Sequence, residues 1–436
     1  MNTIVTPLKK SISMLSRIFV ICLFLQTQFG FAQASLLLTN AHLHLGNGKA
    51  ISQGQILIKG ADIIWVGEGD EECPHPYSEL KDLEAKHVYP GFIAPATAAG
   101  LVEVEAVRAT VDFREVGRDN PNARTAIAFN TDSRIHPTIR YNGVLLVQST
   151  PEGGTFSGLS SVMRLDARNW EEAVVRMDDG MHINWPNPQR FDRSKGKLVV
   201  NEKYAEQVRH IVQTFTDAKA YLRSNRKPIN LKLEAFTGMF DGEKRAYIHA
   251  NNAGAMLEAI NEISALGVQN IVIVGGADAP IIAEFLREKN VSVILRRTHE
   301  LPVRADDPVD LPFSTPKILH EAGVLFCLSN IGRMPVMGNR NLPFMAGTAT
   351  TYGLPKEEAV AMITGNAAKI MGIDKRYGTL EAGKSATLII STGDALDAPT
   401  QNIEYAWIDG VPVSMENWQE DLHNRWMQIV PAAPAK

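Results

Sequence analysis

The sequence predicts an α/β chain in which a (β/α)8 barrel is joined to a small sheet domain supplied by both chain ends. Three observations predict it. Strand-like runs alternate with helical stretches between about residues 88 and 382. Short apolar runs separated by turn signals precede that region, and a second set of such runs follows it. The chain has 436 residues, 45% hydrophobic and 21% charged, enough for one large domain or two medium ones. Lys plus Arg (44) against Asp plus Glu (48) leave no basic excess to neutralise phosphates, so nucleic acid is not an expected partner.

In chain order, residues 1–34 read as a Sec-type secretory leader. Lys9, Lys10 and Arg17 form a positive start, Ile18 to Leu25 an apolar core, and Ala32-Gln33-Ala34 a small-x-small cleavage site. The apolar run is too short for a transmembrane anchor, which needs about 20 residues, so the mature chain is expected to start at Ser35, periplasmic or secreted. Losing three cationic residues takes the formal charge from −4 to −7. Cys22 leaves with the leader. Cys73 and Cys327 remain and read as buried or unpaired thiols, Cys327 lying in the apolar run Val324 to Leu328; spacing alone does not decide whether they pair.

Residues 35–88 then offer Leu36-Leu37-Leu38, Ile56-Leu57-Ile58 and Ile63 to Val66, separated by Gly46-Asn47-Gly48 and Gly60-Ala61-Asp62, the spacing of antiparallel strands. The barrel region, 89–382, carries strand candidates at Val144 to Val147, Ala246 to His249, Ile271 to Val274, Val291 to Leu295 and Val324 to Leu328. Helical spacing appears at Ala255 to Leu266, Pro280 to Lys289, and as one helix over Lys356 to Met371, with Pro355 before it and Gly372 after. Residues 383–436 return to strands at Thr387 to Ile390 and Tyr405 to Ile408.

Three stretches resemble the amidohydrolase superfamily, close to imidazolonepropionase-related and dihydroorotase-like members: Leu38 to Ala41 followed by Gly60 to Gly67; Val88-Tyr89-Pro90-Gly91-Phe92-Ile93; and Asn366 to Gly372 followed by Gly378 to Lys384. The resemblance implies a metal-dependent TIM barrel capped by a composite β-sandwich from both termini, hydrolysing non-peptide carbon–nitrogen bonds. It also implies where metal ligands should stand. The His-x-His expected after the first strand falls on Ala96 and Ala98; the fifth-strand position keeps His249; the sixth falls on Gly275; the eighth-strand aspartate is replaced near Ser329-Asn330. Catalytic zinc takes three protein ligands, and bound water needs the metal to bring its pKa from 15.7 to about 7. The substituted set implies no cofactor, with zinc entering only if the site is rearranged.

Other features carry two readings each. Thr150 to Gly158, with Gly153 and Gly154, is a tight turn or a loop presenting amides to an anionic or carbonyl ligand. His42-Leu43-His44 is a literal His-x-His, read as surface or packing histidines because no acidic or Cys partner is identifiable nearby. Glu103, Glu105, Asp112 and Glu115, interleaved with Arg108 and Arg114, form a solvated segment or a displaced acid–base pair. Arg296 and Arg297 are surface residues or meet a substrate carboxylate. The leading expectation is a pseudoenzyme or supporting subunit that binds an unknown small molecule through His249, Asn330, Thr150, Gly153, Gly154 and Arg296. The alternative is an active amidohydrolase with a rearranged site around His249. A homo-oligomer, or a hetero-oligomer with an active homologue, is expected from the resemblance.

Overall fold

A computed structural model describes residues 34–332, 334 and 336–429; the expected leader up to residue 33, with Cys22, and the Pro/Ala tail lie outside them. The strands β1 (Ser35–His44), β2 (Ala50–Lys59) and β3 (Asp62–Glu68) make an antiparallel meander, while β4 (Glu79–Asp82) and β5 (His87–Pro90) run parallel to β1. The chain then enters a second sheet through β6 (Phe92–Thr97), β7 (Val144–Ser149), β8 (Phe156–Arg164) and β9 (Val174–Asn184). After a hairpin of β10 (Gln189–Asp192) and β11 (Lys197–Val200), that sheet continues with β12 (Arg245–Ala250), β13 (Ile271–Gly275), β14 (Ser292–Leu295) and β15 (Phe326–Leu328).

These eight strands form a nearly closed TIM-like barrel in chain order, β15 returning to the flank of β6. One strand departs from the expected all-parallel arrangement, since β8 is antiparallel to both β7 and β9. Residues 150–155 turn the chain back directly, whereas a parallel return needs a crossover of a dozen or more residues. Apolar side chains pack in the interior, where Ile93, Leu146, Val162, Tyr247, Val272, Val274, Ile294 and Cys327 meet, and the helix Gly365–Met371 closes the N-terminal end with Ala367, Ile370 and Met371. Cys327 is buried and unpaired, as is the half-buried Cys73.

The chain finally returns to the first sheet. There β16 (Leu388–Ser391) pairs antiparallel with β5, and β17 (Ile403–Ile408) and β18 (Val411–Pro412) extend it. The first sheet thus runs β18-β17-β16-β5-β1-β2-β3, one connected sheet built from both termini. It curls around its own core of Leu38, Leu43, Ile56, Ile63, Val88, Leu388, Ile390 and Trp407. Backbone bonds from Ile63 to the Lys384 carbonyl and from Gly383 to the Ile63 carbonyl, both 2.8 Å, close the curl.

The single helix expected over Lys356 to Met371 is two, Lys356–Met362 and Gly365–Met371. The break lets the Ile363 carbonyl accept the β6 amide of Ile93 at 2.9 Å. It also brings Gly365 so close to the Gly46 carbonyl that a Cβ there would sit 2.2 Å from it.

Candidate functional site at the barrel mouth

The carboxyl ends of barrel strands are where such folds gather chemistry, and beneath them the barrel interior holds a buried polar network. Asp179 on β9 is fully buried; its Oδ1 accepts the Ser160 hydroxyl at 2.6 Å, and its Oδ2 accepts the Gln148 amide at 2.8 Å and the Tyr247 hydroxyl at 2.5 Å. Burial pushes the Asp179 carboxyl up, and these three donors oppose that rise. Gln148 uses its other end to accept the Ala96 amide at 3.0 Å, where Ala96 sits at φ +50°.

Above this layer His182, from β9, stacks on Tyr247 with ring centroids 4.7 Å apart and places Nδ1 2.9 Å from His249 Nε2 on β12. The strand register sets this pair, because Tyr247 stands opposite His182 and His249 opposite Asn184. Burial, then the neighbouring His249, holds His182 well below the usual imidazole range, and burial lowers His249 to about 4. Both rings are therefore neutral at pH 7, sharing one N–H···N bond, and the buried Nε2 of His182 has no partner.

The remaining residues expected at the site do not converge with this pair. Three amides of the loop after β7 go to backbone carbonyls: Thr150 to Thr97 at 2.8 Å, Glu152 to Phe113 at 2.8 Å, Thr155 to Arg118 at 2.6 Å. Gly153 and Gly154 adopt φ +88° and +68°, Gly153 gives its carbonyl to the Ser157 hydroxyl, and Gly154 gives its carbonyl to Asn184. The two glycines thus make a tight turn. Asn330 is 4% exposed and donates to the Met334 carbonyl at 2.9 Å, clamping its own loop. Arg296 is held by both oxygens of Glu300, which also lies 3.6 Å from Arg297. Arg296 and Gly275 do share a pocket, between the ends of β13 and β14 and residues 300–315. Glu105 is exposed and Glu103 half-buried in an irregular segment, with Glu103 accepting from Asn130.

The amidohydrolase family profile (Amidohydro_3) matches residues 344–414, which span the two adjoining helices and the return to the first sheet. An amidohydrolase from Thermotoga maritima is 25% identical over 87% of this chain and 99% of its own, with a TM-score of 0.74. In its closing segment and in its fold the chain is similar to amidohydrolase-superfamily proteins. Two further solved structures share the fold: molinate hydrolase, 14% identical over 93% of this chain and 99% of its own, TM-score 0.54, and a prolidase complexed with N-methylphosphonate-L-proline, 14% identical over 88% and 100%, TM-score 0.52. No curated protein matches in sequence.

The superfamily's metal chemistry can be tested against the donors present in this chain. Ala96 and Ala98 at the end of β6, and Gly275 at the end of β13, bring no lone pair, and Asn330, whose Nδ2 bonds the Met334 carbonyl, offers only a neutral amide oxygen where the resemblance expects a carboxylate. That leaves His182 and His249. Among the described residues, the one group of three or more His, Cys, Asp or Glu able to hold an ion lies elsewhere, at His42, His44 and His87 on the sheet domain. The barrel-mouth residues do not fit a binuclear centre, nor the three-ligand set of a catalytic zinc.

The sheet-domain cluster corrects the reading of His42 and His44. His44 is buried and stacked on Tyr89, in line with the packing half of that reading, but it does have an acidic partner: its Nδ1 lies 2.8 Å from Glu357 Oε1. Sequence inspection missed Glu357 because it arrives from a helix start more than 300 residues away, and missed His87 because a lone His opening a strand carries no signal. His182 was missed too, though Met181-His182-Ile183 sits in an apolar run that alternation marks as a strand.

Proposed function

We propose that this amidohydrolase-superfamily protein is exported and acts without metal-activated water, as a ligand-binding or supporting subunit. The family and its structural neighbours suggest a hydrolase scaffold. What supports the finer reading is the donor set at the barrel mouth, His182 and His249 with alanine and glycine at the other ligand positions. Without a third ligand the metal that would lower the pKa of water has no seat there. The orphaned Nε2 of His182 gives a polar ligand one donor or acceptor to satisfy.

The test compares the full chain with the H182A/H249A double variant across amide, cyclic amide, carbamate and dipeptide substrates, with and without chelator. The expected result is no chelator-sensitive turnover in either protein. Turnover abolished by chelator and by H182A/H249A would instead establish the active hydrolase with a site around His249.

Export rests on the leader pattern; Ser35, the expected first residue of the mature chain, bonds Ser78 Oγ through its amide at 2.8 Å. No helix among the described residues is long and apolar enough to cross a membrane. N-terminal sequencing of exported protein should begin near Ser35; an intact Met1 would refute it. Association, as a homo-oligomer or with an active homologue, is tested by light scattering with and without co-expressed relatives, and a monomer throughout would remove it.

A further inference from the structure

We propose that His42, His44 and His87 form a site for one divalent transition-metal ion, zinc in class, where the sheet domain meets the barrel. This goes beyond the barrel-mouth reading and does not depend on it.

The backbone brings the three imidazoles together. His42 and His44 are two apart on β1 and so share a face, opposite the core residue Leu43. β5 runs parallel to β1 with His87 directly beside His42. One ligand atom from each of the three rings can be chosen so that all lie within 4.8 Å of one another. His44 Nε2 and His87 Nδ1 are already 3.0 Å apart. Two imidazole nitrogens on one tetrahedral zinc, at 2.0–2.1 Å from the ion, stand about 3.3 Å apart. The pair therefore needs almost no movement, while the His42 ring must turn to bring its nitrogen from within 4.8 Å toward that spacing.

The orientation of His44 is the decisive detail. Its ring stacks on Tyr89 at 4.0 Å and 2°, and its Nδ1 faces Glu357 Oε1 at 2.8 Å. An Nδ1–H donated to that carboxylate leaves the Nε2 lone pair aimed at the space between the rings. Metal-binding histidines are held in this way, by a carboxylate on the far nitrogen that fixes the tautomer and raises ligand basicity. Glu357 comes from the first turn of the helix Lys356–Met362, so the barrel region orients a ligand carried by the sheet.

The surrounding charges are compatible with a cation. The nearby ammonium of Lys356 is paired with Asp394 at 2.8 Å, and Asp394 also accepts the Tyr89 hydroxyl at 3.0 Å. Three imidazoles and no first-contact carboxylate select borderline ions such as Zn2+, Cu2+ or Ni2+ over Ca2+ or Mg2+. His42 and His87 are only half-buried, which leaves a coordination position reachable from solvent.

The experiment strips the purified full chain with chelator and titrates it with Zn2+ alone and with Co2+, reading stoichiometry by calorimetry and coordination by cobalt absorption. The expected result is one ion per chain, retained by H182A/H249A, lost by at least 100-fold in affinity in H42Q and in H87Q, and weakened 10–100-fold in E357Q. Metal-free circular dichroism of H42Q and H87Q matching the parent separates lost ligation from lost folding. No saturable uptake below millimolar zinc in the parent overturns the site. So does binding that survives both H42Q and H87Q but is lost in H182A/H249A, an outcome that would also return the metal to the barrel mouth and defeat the function proposed above. An E357Q affinity equal to the parent's overturns the orienting role of Glu357.

Discussion

Replacing His136 with Phe should remove a defined part of the protein's acid sensitivity. His136 lies in the helix Ile135–Arg140, is 1% exposed, stacks on Phe129 with centroids 5.2 Å apart, and keeps its Nε2 buried with no partner. Burial, with Arg140 adding to it, lowers its pKa to about 3. An unfolded imidazole titrates near 6.5, so between these values the unfolded chain binds a proton that the folded chain refuses. Stability contributed by the neutral ring is therefore complete above about pH 6.5 and is lost as pH falls toward 3. The full window corresponds to about 5 kcal/mol at 1.36 kcal/mol per pH unit, and the interval from pH 7 to pH 5 to about 2 kcal/mol. Phe keeps the stacked ring and carries no proton site. Urea unfolding at pH 7 and pH 5 should show His136→Phe losing about 2 kcal/mol less than the parent over that step. The other buried histidines contribute equally to both proteins and cancel in the difference. An equal loss in parent and variant would refute the reasoning.

Three more outcomes follow from buried contacts. Asp179→Ala strands the Ser160, Gln148 and Tyr247 donors; at about 1–3 kcal/mol for each unsatisfied group, it should destabilise by at least about 3 kcal/mol, with Asp179→Asn recovering more than half, as measured by chemical denaturation. Gly365→Ala drives a methyl to 2.2 Å from the Gly46 carbonyl and should cost about 1–3 kcal/mol in the same assay, whereas an unchanged midpoint would show that the two segments yield freely. Of Cys73 and Cys327, Cys73 alone should alkylate in the native protein, because Cys327 is fully buried and its thiol is pushed well up by that burial; labelling of both at equal rates would contradict the packing.

Much of the scaffold was legible because its signals are local. Apolar runs such as Val144 to Val147 and Ile271 to Val274 are buried strands of β7 and β13, and the strand pairing of the two termini follows from their shared alternation. The reversed β8 was not legible, since a glycine-rich loop after a strand looks the same whether it leads to a helix or turns back. The break at Ile363 and Thr364 was hidden by an unbroken helical pattern; it answers to a tertiary bond from Ile93. Site chemistry was legible only where a family position named it, as at His249. His182 became visible through strand register, and Glu357 through a meeting of segments that no window of sequence contains.

The route of β5 through the first sheet sets an order of events for the chain. β5 lies between β1 and β16, so one of its edges is formed by residues about 300 positions later. Until Leu388–Ser391 emerges, the early meander lacks its neighbour, and the core around Val88 lacks Leu388, Ile390 and Trp407. Closing so long a loop is slow compared with local helix or hairpin formation. The amino-terminal strands thus remain an incomplete sheet until that distant segment joins them. A truncated or stalled chain should carry that open edge exposed, making it a natural target for chaperones and proteases rather than a dormant half-molecule.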